Sequence, residues 1–159
     1  MPDSNSIKIL FNFFSDILDD YATETLLAEV VNQEHDYYKL KSLPFYAPKI
    51  ALDDTVWAEY KEAEGMLVYR KTVRHSGNST IHVIILNGEY NADAIAAVFE
   101  KNGCSTEKLN NKYFAITVPA AIDYLRVKSK LDELEMAKIV DYVESCLSDK
   151  HQYKNIPLM

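Results

Sequence analysis

Glycine and proline are scarce, four and five in 159 residues, so a linker-rich or low-complexity chain is excluded. The two cysteines, Cys104 and Cys146, lack CxxC spacing, which argues against a zinc ribbon or redox motif. Two reduced thiols in a cytoplasmic protein are the expectation, with a disulfide as the alternative. The longest strictly apolar runs are a few residues, such as Val83–Leu86, far short of a membrane span. The start, MPDSNSIK, lacks the basic segment and apolar core of a signal peptide, so the expected location is the cytoplasm. Phosphate-cradling GxGxxG and GxxxxGK(S/T) patterns are missing. His35, His75, His82 and His151 are scattered, without HxxxH or HExxH, so no metal and no cofactor is expected. Basic residues are the minority, 17 against 24 acids for a formal charge of −7. That balance argues against unaided binding to a nucleic-acid backbone.

What is present is a globular composition, 48% apolar and 26% charged, with enough apolar surface for a real core. The length suits one large domain or two small intertwined ones. The acids are unevenly placed. Between Asn12 and Asp36 stand Asp16, Asp19, Asp20, Glu24, Glu29, Glu34 and Asp36, with no Lys or Arg among them. The segment nevertheless reads as folded β-structure, and a folded acidic face repels nucleic acid and attracts basic partners.

Alternation of Ile7, Ile9, Phe11 and Phe13 makes Ser6–Phe14 a strand; Glu24–Val31 and Tyr37–Lys41 follow as strands. Pro44 and Pro48 break the ladder, because neither donates a backbone hydrogen bond. Thr55–Lys61 and Met66–Arg74 form a hairpin around Glu62–Gly65, where Gly65 supplies a positive φ. Thr80–Leu86 is apolar on both faces and therefore belongs at the centre, as a wall shared by the two halves. Asn91 caps a helix that Gly103 ends. Tyr113–Val118 is a strand, Asp123–Lys138 a second helix with Val127, Leu131 and Leu134 inward, and Ile139–Cys146 a last strand.

The resulting class is α+β. An antiparallel β-rich part, 1–78, forms a small barrel or a sheet extension. It joins a ferredoxin-like β-α-β-α-β part, 79–150, and a loosely held tail, 151–159.

Few residues suggest chemistry. His75 with Ser76 and Ser79 is the one place where a base sits beside a hydroxyl, but no orienting acid stands near in sequence, so a polar turn is expected. Only a pocket gathering Asp54, His75 and Ser76 would argue for an enzyme. The pairs Asp19–Asp20 and Asp53–Asp54 read as turn carboxylates capping backbone amides. The positive signal is eleven tyrosines set among acids: Tyr21 beside Asp19 and Asp20, Tyr37–Tyr38 beside Asp36, Tyr60 between Glu59 and Glu62. Tyrosine joins a large contact area to a polar tip and is enriched at interfaces.

The segments SLPFYAPKIALDDTVWAE (Ser42–Glu59) and GMLVYRKTVRHSGNSTIHV (Gly65–Val83) carry a Pro-Phe turn, an Asp-x-Val lead into a strand, and a Ser-Gly-x-Ser-Thr turn into the central strand. In these features the chain resembles the uncharacterised bacterial family called domain of unknown function 4265. The resemblance runs from about Ile7 to Cys146, and it implies a small bacterial cytoplasmic protein. The family carries no assigned catalytic residue.

The expected function is therefore non-catalytic binding by an immunity or inhibitor protein that occludes a basic partner, a toxin nuclease domain. Asp19, Asp20, Tyr21 and Glu24 are the first contact candidates; Asp53, Asp54, Glu59, Tyr60 and Glu62 are the second. The other possibility is a ligand-sensing regulatory module, and a homodimer is compatible with either.

Overall fold

The computed structural model describes residues 7–15 and 18–153. Five strands close into a barrel: β1 (Ile7–Ser15), β2 (Asp20–Asn32), β3 (Tyr37–Leu40), β4 (Thr55–Lys61) and β5 (Met66–Arg74). Each strand is antiparallel to the next, and five is odd. The first and last strands therefore run the same way, and the seam pairs β1 with β5 in parallel, Ile9 opposite Leu67 and Leu10 opposite Val68. Period-two alternation sends Ile9 and Phe11 inward from β1 and Leu26 and Ala28 inward from β2, against Tyr38, Leu40, Val56 and Ala58. Burying each large member stabilises the barrel by roughly 1.5–3 kcal/mol.

The second half is a four-stranded sheet of β6 (Ser79–Ile85), β7 (Ser105–Asn110), β8 (Tyr113–Val118) and β9 (Val140–Cys146). Its order is β7-β8-β6-β9, antiparallel throughout. Helices α1 (Ala92–Glu100) and α2 (Tyr124–Met136) pack on one face, where Ile95, Phe99, Val127 and Leu131 meet Ile81, Val83, Phe114 and Ile116. Asn91 caps α1 by accepting from the Ala94 amide, and Asp123 caps α2 through the Leu125 amide. Gly103 takes φ +91° just beyond α1.

The architecture is thus α+β and mostly antiparallel, with the N-terminal part a closed barrel. The expected β-α-β-α-β order needs correction, because β7 adds a strand before β8. Its sequence, STEKLN, has no apolar alternation and is nearly all exposed. It is held by its ladder to β8, and its charges suit an edge. Strand β6 is central, between β8 and β9, but it is not a wall shared with the barrel. Its second face is covered instead by the irregular segment 41–54 between β3 and β4. His82 Nε2 donates to the Pro44 carbonyl (2.9 Å), Thr80 Oγ1 to the Ile50 carbonyl (2.8 Å), and the Tyr113 hydroxyl to the Phe45 carbonyl. Tyr46 stacks on Tyr113 with centroids 5.5 Å apart. The proline-interrupted segment is the mortar between the two halves.

The tail also needs correction. His151 closes a 3-10 turn, Asp149–His151, and is buried. Its Nε2 donates to the Pro119 carbonyl (3.0 Å), which leaves Nδ1 to accept from Ser79 Oγ (2.6 Å). Tyr153 packs beside Tyr124, and both hydroxyls reach Glu144. Residues 154–159 lie outside the described residues. Cys104 and Cys146 are both free. They sit at opposite edges of the sheet, three strand spacings or roughly 14 Å apart, beyond disulfide reach.

Candidate functional site

The β1–β2 ladder runs on beyond the β1–β5 seam. Beyond Leu10, β1 has no ladder partner except β2, and the paired register runs out to Ser15 opposite Asp20. Phe11 stays in the barrel core, stacked on Tyr69, and Phe13 packs against that core, so only the end of the hairpin where Phe14 faces Tyr21 forms a short exposed arm. Phe14 and Tyr21 are directly opposite in register on its outward face, edge to face with centroids 5.4 Å apart. Tyr21 is 81% exposed, with Phe14 and Leu18 also open to solvent. Asp19 makes the turn in the left-handed region (φ 52°), and Asp20 accepts its neighbour's amide, Tyr21 N–H, at 2.7 Å. Among the described residues neither aspartate has a basic partner. Asp16 lies outside the described residues.

The other contact candidates are dispersed, and several are already committed. Glu24 is turned under the 41–54 segment, accepting three successive amides, Phe45 (2.7 Å), Tyr46 (3.1 Å) and Ala47 (2.9 Å). Asp53 pairs with Lys41 at 3.3 Å, and Glu59 with Arg70 at 3.3 Å. Asp54 is 1% exposed and accepts the amides of Ala51 (3.1 Å) and Ser76 (2.8 Å). Neither Glu24 nor Asp54 presents its carboxylate outward. Both hold backbone that carries no ladder of its own. Tyr60, Glu62 and Glu64 are exposed at the β4–β5 turn. Because β1 and β5 are parallel, that turn sits at the start of β5 while the arm tip sits at the end of β1. The two acidic, tyrosine-bearing groups therefore occupy opposite ends of the barrel.

Where barrel and sheet meet there is a cleft of about 520 Å³. Three distant segments line it: Lys49, the connection His75–Asn78, and Glu144–Lys150. Asp54 does not line the cleft but lies behind it, its carboxylate 3.7 Å from Nδ1 of the lining residue His75. The structure does bring Asp54, His75 and Ser76 together, the juxtaposition an enzyme would need. At Ser76 and Cys146 the geometry supplies no activated nucleophile. Ser76 Oγ donates to the Leu52 carbonyl (2.8 Å) rather than to an imidazole. Burial pushes the Cys146 thiol up to about 12, with the charge of Asp54 adding to the effect, so it stays protonated at neutral pH. Asp54 itself is raised by burial, against the lowering effect of its two amides. Among the described residues two hydroxyls meet the His151 imidazole: Ser79 Oγ (2.6 Å), sealed in the interior with both residues at most 2% exposed, and Ser148 Oγ (3.2 Å), a buried residue at the cleft wall.

Lys49 stands about a hundred residues before Cys146 and Lys150, so their meeting carried no signal in the sequence. Among the described residues no three of His, Cys, Asp and Glu gather to hold a metal, and no helix is long and apolar enough to cross a membrane.

A closed, mostly antiparallel barrel mortared to a two-helix, four-stranded sheet defines the structural class. Within it, the model of the family described as domain of unknown function (DUF4265) matches residues 24–142, and the chain belongs to that family. The crystal structure of a hypothetical protein from Neisseria gonorrhoeae is similar in fold. Its TM-score is 0.79 at 24% identity, and the match covers 90% of this chain and 96% of that one. Among curated proteins none matches.

Proposed function

We propose that this chain is a non-catalytic binding protein that docks a basic protein surface with the tip of its β1–β2 arm. In our reading it is an immunity or inhibitor protein occluding the substrate cleft of a toxin nuclease. The observation that carries the proposal is Tyr21, 81% exposed and braced edge-on by Phe14, directly after two aspartates that have no basic partner among the described residues. An aromatic held by a neighbour on a rigid ladder binds with little ordering cost. Carboxylates around it speed encounter with a cationic cleft that evolved to hold phosphates. The test is titration against the polypeptide encoded beside its gene across a salt series. Association should slow steeply as salt rises, and salt-independent association sinks the reading.

A second reading is a ligand-sensing module. The β-α-β-β-α-β order and the β7-β8-β6-β9 sheet correspond to a ferredoxin-like unit. The junction cleft favours this reading, since ligand sites gather at such interfaces. Fold likeness alone fixes no ligand.

A further inference from the structure

We infer that the junction cleft binds a small organic anion, a carboxylate or phosphate ester of metabolite size. The inference rests on the ligand-module reading and adds the ligand's chemistry. About 520 Å³ lies within the range of small-molecule sites.

The argument is one of uncommitted polar groups. Among the described residues, Lys49 and Lys150 form no ion pair and no side-chain hydrogen bond, and the Ser145 hydroxyl has no partner. The acceptors that could have paired directly with these lysines, or received from a ligand, are mostly engaged in other hydrogen bonds, which occupy their lone pairs without removing their charge. Glu144 receives the hydroxyls of Tyr124 and Tyr153. Asn78 donates to the Leu52 carbonyl and accepts the Ala120 amide. Ser76 is saturated between the Leu52 carbonyl and the Asn78 amide. Asp54 is turned to the Ala51 and Ser76 amides. What faces the space is a set of donors: two ammonium groups, the Ser145 hydroxyl, the Cys146 thiol, protonated at neutral pH, and the exposed His75 ring. Among the described residues Asp149 is the one rim carboxylate without an ion pair or hydrogen bond.

The surroundings are built to keep these donors in place. Gly77, at φ +94°, leaves room that a Cβ would fill 3.0 Å from Ala120 and 3.6 Å from the stem of Lys150. Lys49 is pinned by its amide, which donates to the Ser145 carbonyl at 2.8 Å. In a chain of net charge −7, a walled cleft with two unmatched lysines and donors between them is complementary to an anion.

The experiment is amide-resolved NMR titration of the full chain with four probes: citrate, glucose 6-phosphate, glucose and spermidine. Citrate or glucose 6-phosphate should shift the amides of Gly77, Asn78, Ser145 and Lys150, and whichever acts identifies carboxylate or phosphate. The double variant Lys49→Gln, Lys150→Gln, with an unchanged urea midpoint, should weaken that binding about tenfold or more. Equal affinity in the variant, or shifts confined elsewhere, overturns the inference. Glucose or spermidine acting at the cleft without the anions overturns the anion assignment while leaving the module reading intact. Silence from all four probes overturns both.

Discussion

Removing the Glu24 carboxylate tests the division of the acidic residues into structural and docking groups. The carboxylate receives the amides of Phe45, Tyr46 and Ala47 at 2.7, 3.1 and 2.9 Å, and these belong to the segment that mortars barrel to sheet. Hydrogen bonds to a charged acceptor are worth about 1.5–3 kcal/mol each, but three on one carboxylate are not independent. Glu24 is also only half-buried, so water takes over part of the work once the side chain is gone. Glu24→Ala should therefore cost about 2–4 kcal/mol. With a urea m-value of about 2 kcal/mol/M, the unfolding midpoint falls by about 1–2 M. Glu24→Gln keeps one acceptor oxygen and should lose about half as much. Glu29→Ala, which removes only an exposed contact with Lys41, is the control and should stay within about 0.5 kcal/mol. A Glu24→Ala midpoint indistinguishable from the Glu29→Ala midpoint refutes the structural assignment and returns Glu24 to the docking surface.

The burial of Asp54 predicts that Asp54→Ala strands the Ala51 and Ser76 amides and costs about 2–3 kcal/mol, readable in the same urea titration. Burial lowers His82 below its usual 6.5, so the unfolded chain binds its proton more readily than the folded one. Its contribution to stability is complete above pH 6.5 and is lost as pH falls toward the folded value. Relative to wild type, His82→Gln should gain stability between about pH 8 and about pH 5, and a pH-independent difference contradicts this. Gly103→Ala places a Cβ 2.8 Å from Ile122 Cδ1 at φ +91° and should cost about 1–3 kcal/mol by thermal or urea unfolding. Leu131→Ala empties a fully buried position under the sheet and should cost about 2–5 kcal/mol.

Most of the fold was legible because its signals are local. The alternation of Ile7, Ile9, Phe11 and Phe13 gave β1, and Asn91 and Asp123 gave the starts of both helices. The two-sided burial of β6 followed from its apolar run. Strand β7 was illegible because an edge strand with polar side chains on both faces has no period to read. His151 looked like tail because a lone imidazole near a terminus gives no hint of a serine 72 residues earlier. The candidate site was half legible. Tyr21 beside aspartates is visible in the sequence, and the fold leaves it exposed. An Asp–Asp pair in the sequence cannot separate Asp19, which faces solvent, from Asp54, which is spent on backbone amides, because that choice depends on where unpaired loop amides fall. The cleft was illegible for the simplest reason: its walls come from three segments that only the tertiary fold brings together.

The most direct test of the docking claim sets the two ends of the barrel against each other. Affinity for the polypeptide encoded beside the gene is measured for Asp19→Lys/Asp20→Lys/Tyr21→Ala and for Tyr60→Ala/Glu62→Lys, each confirmed folded by its urea midpoint. Loss of about a hundredfold or more in the arm-tip variant, with near-native affinity in the other, is the predicted result. Native affinity in the arm-tip variant, with loss confined to the Tyr60 end or absent from both, contradicts it.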